Sequence, residues 1–281
     1  MPAWPTFEER ARNVIAAKRE MDNAIKFRSA TGGWCGSFEA RAQDVEDLSE
    51  QLKGEVDYIF TDPPYGGHIS YIDLSILWNN WLGLGPTEEA RRKEIIVGGE
   101  LRHTEDEYLR RLGDSIRACI RMLKNERWLS IVFQHWNVAY FEAILSAASE
   151  SGAELTAAVP QVGDPIWSMH KKKNRESVLA GEMILTFRKT GARRRYGKKN
   201  SFDLAETIRE MLSVSDSSAV YGEDLFNRVV IDAWKKQAIG SLTITRDEFR
   251  QLMEGLGWQY DPQRHYWSNG NKAHHPLLNG C

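Results

Sequence analysis

Apolar residues recur along this chain with two periods, and the switching between them marks out its elements. Over residues 7–21 the apolar positions Phe7, Ala11, Val14 and Ile15 fall at helical spacing among arginines and glutamates, which predicts an amphipathic helix. Residues 28–37, with Gly32, Gly33 and Gly36, read as a loop. Between 40 and 54 the pattern predicts a short strand, then Asp44, then a helix through Leu48 and Leu52. Residues 56–60 form a short apolar run that reads as a buried strand, ended by Pro63 and Pro64. A helical pattern at 71–82 lies within a long connection reaching Gly99. Thr104 and Glu107 have the spacing of a capping box, opening a helix with Tyr108, Leu109, Leu112, Ile116, Ile120 and Leu123 on one face. A strand at 128–133, a helix at 137–149 and strands at 154–160 and 182–188 follow. Such alternation predicts an α/β fold with a largely parallel sheet, whose last, long-looped strand pair suits an antiparallel end.

Beyond residue 201 the pattern changes to short helices at 202–212, 223–238 and 245–256, then a hairpin with arms 258–260 and 266–267. The expected organisation is a main domain over 1–190, a basic linker over 191–200, a small mainly helical domain over 201–268 and a disordered tail over 269–281. Three helices followed by a hairpin fit either a winged helix, with Arg246 and Arg250 on its third helix, or a helical bundle closing the sheet edge.

Composition narrows the class. The chain has 281 residues, 42% hydrophobic and 27% charged, enough for one substantial core and a smaller unit. A net charge of −2 leaves no global nucleic-acid footprint, so any such surface must be local. Cys35, Cys119 and Cys281 are odd in number and lack ligand spacing, which favours reduced thiols in a cytoplasmic protein over disulfides. His274 and His275 are too few ligands for a metal site, and no apolar run approaches a membrane span.

The chemistry concentrates at Thr61-Asp62-Pro63-Pro64-Tyr65. Proline fixes its own φ, lacks an N–H and pushes its predecessor toward extended geometry, so Asp62 is held at the carboxyl end of a strand. Open α/β sheets bind ligands at that end. The stretch offers acceptors, the Asp62 carboxylate and the Pro63 carbonyl, and an aromatic plate, Tyr65. A planar exocyclic amine is a poor nucleophile because its lone pair is delocalised into the ring. Two acceptors on its N–H groups favour a tetrahedral nitrogen and free that pair for attack on a methyl sulfonium. Stacking on the tyrosine is worth about 1–3 kcal/mol per base. The plainer alternative is a Pro-Pro turn closing a strand.

The segment from Asp57 to Gly66, followed by Tyr71, Asp73, Leu74, Ser75, Trp78, Trp81 and Leu82, resembles motif IV of the amino-group DNA methyltransferases, in particular a group of large bacterial and archaeal adenine-specific DNA methylases. The resemblance covers about 1–190 and is strongest over 56–82. It implies a Rossmann-like core, S-adenosyl-L-methionine as cofactor, DNA as partner, and methyl transfer to adenine N6. Asp62, Pro63, Pro64 and Tyr65 would be catalytic, and Asp44, Thr61 and Asp62 would face the cofactor. It also implies a glycine-rich turn after a first strand, which is not visible in this sequence. The chain is therefore expected to lack the first strands of such a core, with an upstream domain or separate chain supplying the cofactor motif, and to bind the cofactor weakly by itself. Cytosine-N4 transfer, RNA adenine-N6 transfer, amide methylation of a protein glutamine, and a non-catalytic DNA-binding half of a split enzyme are the alternatives.

Several candidates keep two readings. Asp44 is either the acid that meets the cofactor's adenine or a helix N-cap. Trp167, then Trp136, and with them Tyr71, are candidates to cover the other face of a flipped base; both tryptophans could equally pack as core or rim. Lys171, Lys172, Lys173 and Arg175, with Arg193, Arg194 and Arg195, could contact DNA phosphates near the opening of that pocket, or could be solvated loop and linker.

Overall fold

The computed structural model describes residues 3–30, 37, 39, 41, 43–67, 70–162, 181–194, 201–214, 219–261 and 266–269. It forms two units, Met1–Gln43 and Asp44–Cys281. The first contains α1 (Ala3–Ala30), longer at both ends than the pattern predicts. Pro5 falls in its first turn, where the missing N–H is harmless, and the first glycine comes only at residue 32. Trp4, Phe7, Val14, Ile15 and Met21 are exposed along it.

The second unit begins with α2 (Val45–Gln51) and β1 (Val56–Thr61), with no strand among the described residues before Asp44. Then come α3 (Tyr71–Leu82), α4 (Glu88–Lys93), α5 (Glu105–Met122), β2 (Leu123–Phe133), α6 (Val138–Glu150), β3 (Ala153–Val162) and β4 (Gly181–Lys189). The predicted capping box of α5 is formed by Thr104 and Glu107, and eight residues of that helix are buried. By contrast α3 buries none; Leu74, Leu77, Trp78, Trp81 and Leu82 are all exposed.

The four strands are ordered β1-β2-β4-β3. β4 inserts between β2 and β3 and runs antiparallel to both. The antiparallel final pair is as expected, and β1, β2 and β3 run the same way, but only β1 and β2 are adjacent parallel neighbours. The buried reading of β1 is corrected, since it lies at the edge among the described strands, with Tyr58 54% and Phe60 61% exposed.

Register assigns each side chain to a face. Leu129, Ile131, Phe133, Met183, Leu185 and Phe187 share one face, and all are buried in a cluster with residues of α5 and α6. Tyr58, Phe60, Trp128 and Val159 share the other and are exposed, while Ser130 and Val132 on that same face are buried.

Residues 201–268 contain α7 (Leu204–Val214), β5 (Ala219–Tyr221), α8 (Gly222–Lys235), a short 3-10 turn at Ile239–Ser241, α9 (Arg246–Gly255), β6 (Gln259–Asp261) and β7 (Tyr266–Ser268). The strand β5, absent from the sequence reading, joins the hairpin in a sheet ordered β5-β7-β6. α8 packs against β3, β4 and α6. Its Leu225, Phe226 and Val229 join the same buried cluster as the main sheet's covered face.

Candidate active site

β1 ends at Thr61, and the next residue, Asp62, is exposed at its carboxyl end. The residues that follow are held from below. Tyr108 of α5 is fully buried and its hydroxyl donates to the Pro64 carbonyl at 2.5 Å. Burial pushes the phenol's pKa up. One side chain thus holds the turn at Pro64. Gly66 has φ of 68°. A Cβ there would lie 3.0 Å from Cε2 of Tyr140, whose ring stacks on His135 with centroids 3.8 Å apart. A Cβ on Gly67 would lie 2.9 Å from the Val97 carbonyl. Both glycines therefore serve close approach of protein to protein at this turn.

Tyr65 is not a free plate. Its hydroxyl donates to Asp62 Oδ1 at 2.5 Å, and its ring meets Phe133 edge-on at 5.3 Å. Burial, the hydrogen bond to Asp62 and the nearby charge of Glu182 all push the phenol's pKa far up, so it remains a proton donor to that carboxylate. Among the described residues, Asp62 Oδ2 and the Pro63 carbonyl have no hydrogen-bond partner. Two acceptors with fixed backbone support are what remains open, while Tyr65 orients the carboxylate from the side. Tyr71, at the start of α3, is exposed.

The other candidates separate. Asp44 is the N-cap of α2: its Oδ1 accepts the Glu46 N–H at 2.8 Å and its Oδ2 lies 3.9 Å from Lys93 Nζ. The N-cap reading of Asp44 is thus seen in the geometry, and the cofactor reading is not exclusive of it. Trp136 is also corrected, for its ring packs on Phe226 at 4.5 Å and Phe249 at 6.2 Å, joining the carboxyl-terminal helices to the core. Trp167, Lys171, Lys172, Lys173, Arg175 and Arg195 lie outside the described residues. Val162 and Gly181, which bracket 163–180, pair with each other at the end of the sheet where Asp62 stands. Arg193 and Arg194 belong to the opposite end. The Arg194 backbone is tied to Ser149, and Lys189, just before it, pairs with Ala153 at the start of β3. Their placement at the pocket mouth is corrected, because β4 carries the chain away from Asp62 before the linker begins.

Sequence reasoning missed Tyr108, Tyr140 and Phe133 as supports of the turn. A tyrosine on the otherwise aliphatic buried face of α5 was the available signal, since a buried phenol needs a partner. The described residues present the acceptor end of an amine at Asp62 and Pro63, and no described strand lies beyond β1. Among them no helix is long and apolar enough to cross a membrane.

No protein-family model matches the sequence, and no curated protein does either. Among solved structures the chain is similar to TTHA0409 of Thermus thermophilus, named as a DNA modification methylase and also solved with S-adenosyl-L-methionine. The identity is 15% and the TM-score 0.31, over 59% of this chain and 57% of that one. A second similar structure is the M1.HpyAVI–SAM complex, at 13% identity and TM-score 0.30, over 75% of this chain and 93% of that one. The match thus spans little more than half the length of the Thermus protein, and likeness of this degree assigns no activity to the chain.

Proposed function

We infer that this chain activates the exocyclic amine of a flipped base, and that its reaction is methyl transfer from S-adenosyl-L-methionine to adenine N6 in DNA. The observation that carries this reading is the exposed Asp62 carboxylate beside a Pro63 carbonyl, on a turn clamped by Tyr108, with Asp62 Oδ2 and that carbonyl open among the described residues. Asp62 and Pro63 each accept one amine hydrogen, which localises the nitrogen lone pair. Tyr65 aims the carboxylate through its hydroxyl, and its ring flanks the base; Tyr71 and Trp167 are the other candidate pocket aromatics. The cofactor supplies an electrophilic methyl group when bound, and Asp44, Thr61 and Asp62 are the residues of this chain that would face it. DNA phosphates fall to Lys171, Lys172, Lys173 and Arg175, whose segment joins β3 to β4 at the Asp62 end.

The order helix, strand, helix, helix, hairpin over 201–268, with β5 on β7, supports a winged helix there. Its third helix, α9, is a poor phosphate contact: Asp247, Glu248 and Glu254 are exposed, and Arg250 is paired with Glu254 at 2.9 Å. That no described strand lies beyond β1 favours one second reading, a non-catalytic DNA-binding half of a split enzyme. Methylation of adenine- and cytosine-containing duplexes with tritiated cofactor, by the chain alone and with the product of the upstream reading frame, tests both. The expected result is adenine labelling that Asp62→Ala lowers by about 100-fold or more. Labelling that survives that substitution refutes the role of Asp62, and no labelling under any condition leaves the second reading.

A further inference from the structure

One side chain of α8 is not explained by its surroundings. Asn227 is 2% exposed, and among the described residues neither its Oδ1 nor its Nδ2 has a hydrogen-bond partner. A buried amide left without partners costs free energy, and most buried polar groups are paired for that reason. Asn227 lines a cavity of about 280 Å³, together with Ala158 and Pro160 of β3, Met183 of β4, Met211 of α7 and Ile231 of α8. A water takes about 30 Å³ of liquid, so the space suits a small organic molecule better than a single bridging water. Arg228, Asp232 and Lys235 line the same cavity from α8. Helical spacing separates two rows on that helix. Asn227 and Ile231 are buried four positions apart, and Arg228, Asp232 and Lys235 repeat one position further on. Arg228 and Lys235 are exposed, while Asp232 is paired with Lys236 at 2.8 Å.

The chemistry of these walls selects a ligand. An amide presents a donor and an acceptor side by side, and its terminal torsion is soft enough to turn that edge toward the cavity. Adenine carries the matching edge, N6–H as donor and N7 as acceptor, which asparagine meets with two hydrogen bonds. Methionine thioethers adapt to the outline of an aromatic ring and attract it, which suits Met183 and Met211 to a planar base. Exposed cations beside such a base suit a phosphate. We propose that this cavity binds an adenine mononucleotide, with the base edge on Asn227 and the phosphate at Arg228 and Lys235. The site stands apart from the Asp62 turn, because β3 lies three strand positions, or about 14 Å, from β1. A bound nucleotide joins α7 and α8 to β3 and β4, so its occupancy stabilises the folded chain by mass action.

The test is calorimetric titration of the whole chain with AMP, adenosine, ribose 5-phosphate, purine riboside 5′-monophosphate and S-adenosyl-L-methionine, with thermal melting in parallel. The expected result is one AMP per chain and a raised melting temperature. Adenosine should bind at least tenfold more weakly, purine riboside 5′-monophosphate, which lacks the amine, at least tenfold more weakly, and ribose 5-phosphate not detectably. Asn227→Leu removes the unpaired amide and should melt at or above the parent, yet weaken AMP binding at least 30-fold. Asn227→Ser gives the same reading should leucine overfill the site. Lys235→Ala should weaken AMP at least fivefold and adenosine by less than twofold. No AMP binding by the folded parent, ribose 5-phosphate binding as tightly as AMP, or AMP binding indifferent to both substitutions of Asn227 would each overturn the proposal. So would S-adenosyl-L-methionine displacing AMP with the higher affinity, since the cavity would then serve the cofactor and not a nucleotide.

Discussion

The two faces of one four-stranded sheet were built from similar residues and ended differently. Leu129, Ile131, Phe133, Leu185 and Phe187 are at most 1% exposed beneath helices, while Tyr58, Phe60 and Val159, on the same strands or their neighbours, are more than half exposed. Each side chain that is fully covered contributes about 1.5–3 kcal/mol relative to exposure, and the bare positions contribute little of that. Apolar content therefore says that a position suits burial, not that this chain provides it. The Asp62–Tyr65 turn lies at the border, supported from the covered side by Tyr108, Tyr140 and Phe133.

The comparison can be broken most directly with Phe187→Ala on the covered face, which should cost about 3–5 kcal/mol in urea unfolding. A loss under 1 kcal/mol would mean that the covered face is no better packed than the bare one. An intermediate effect is expected from Tyr108→Phe. It keeps the ring but strips the Pro64 carbonyl of its partner, at a cost of about 1–3 kcal/mol in the same experiment. Methyl transfer, where it is measurable, should fall with it as the turn loosens; unchanged stability would show that the hydroxyl does not clamp the turn. The smallest effect belongs to the bare face. Phe60→Thr keeps strand propensity and should move the stability of the chain alone by no more than about 0.5 kcal/mol. A loss comparable to that of Phe187→Ala would erase the distinction between the two faces.

Much of the local structure was legible because its causes are local. The capping box Thr104–Glu107 and the apolar spacing of α5 lie within one helix, and the helix formed as that spacing predicts. Asp62 stands at a strand end because two prolines follow it. Asp44 was legible as an N-cap, and its geometry shows that role, with Lys93 near its second oxygen.

What stayed hidden depends on partners far along the chain. β4 pairs between β2 and β3, so the direction of most of the sheet is set by a strand whose own pattern carries no record of its neighbours. Tyr108 reaches Pro64 across 44 positions, and Trp136 finds Phe226 and Phe249 in the carboxyl-terminal helices. The amino-acid order by itself determined which segments become helix or strand and where the acceptors of the turn must stand, because capping, φ restriction and periodicity act over a few residues. Only the tertiary structure decided which apolar faces are covered, which aromatic rings are core, and that β1 stands at the edge of the described strands, because burial is a property of two surfaces and each stretch of sequence specifies only its own.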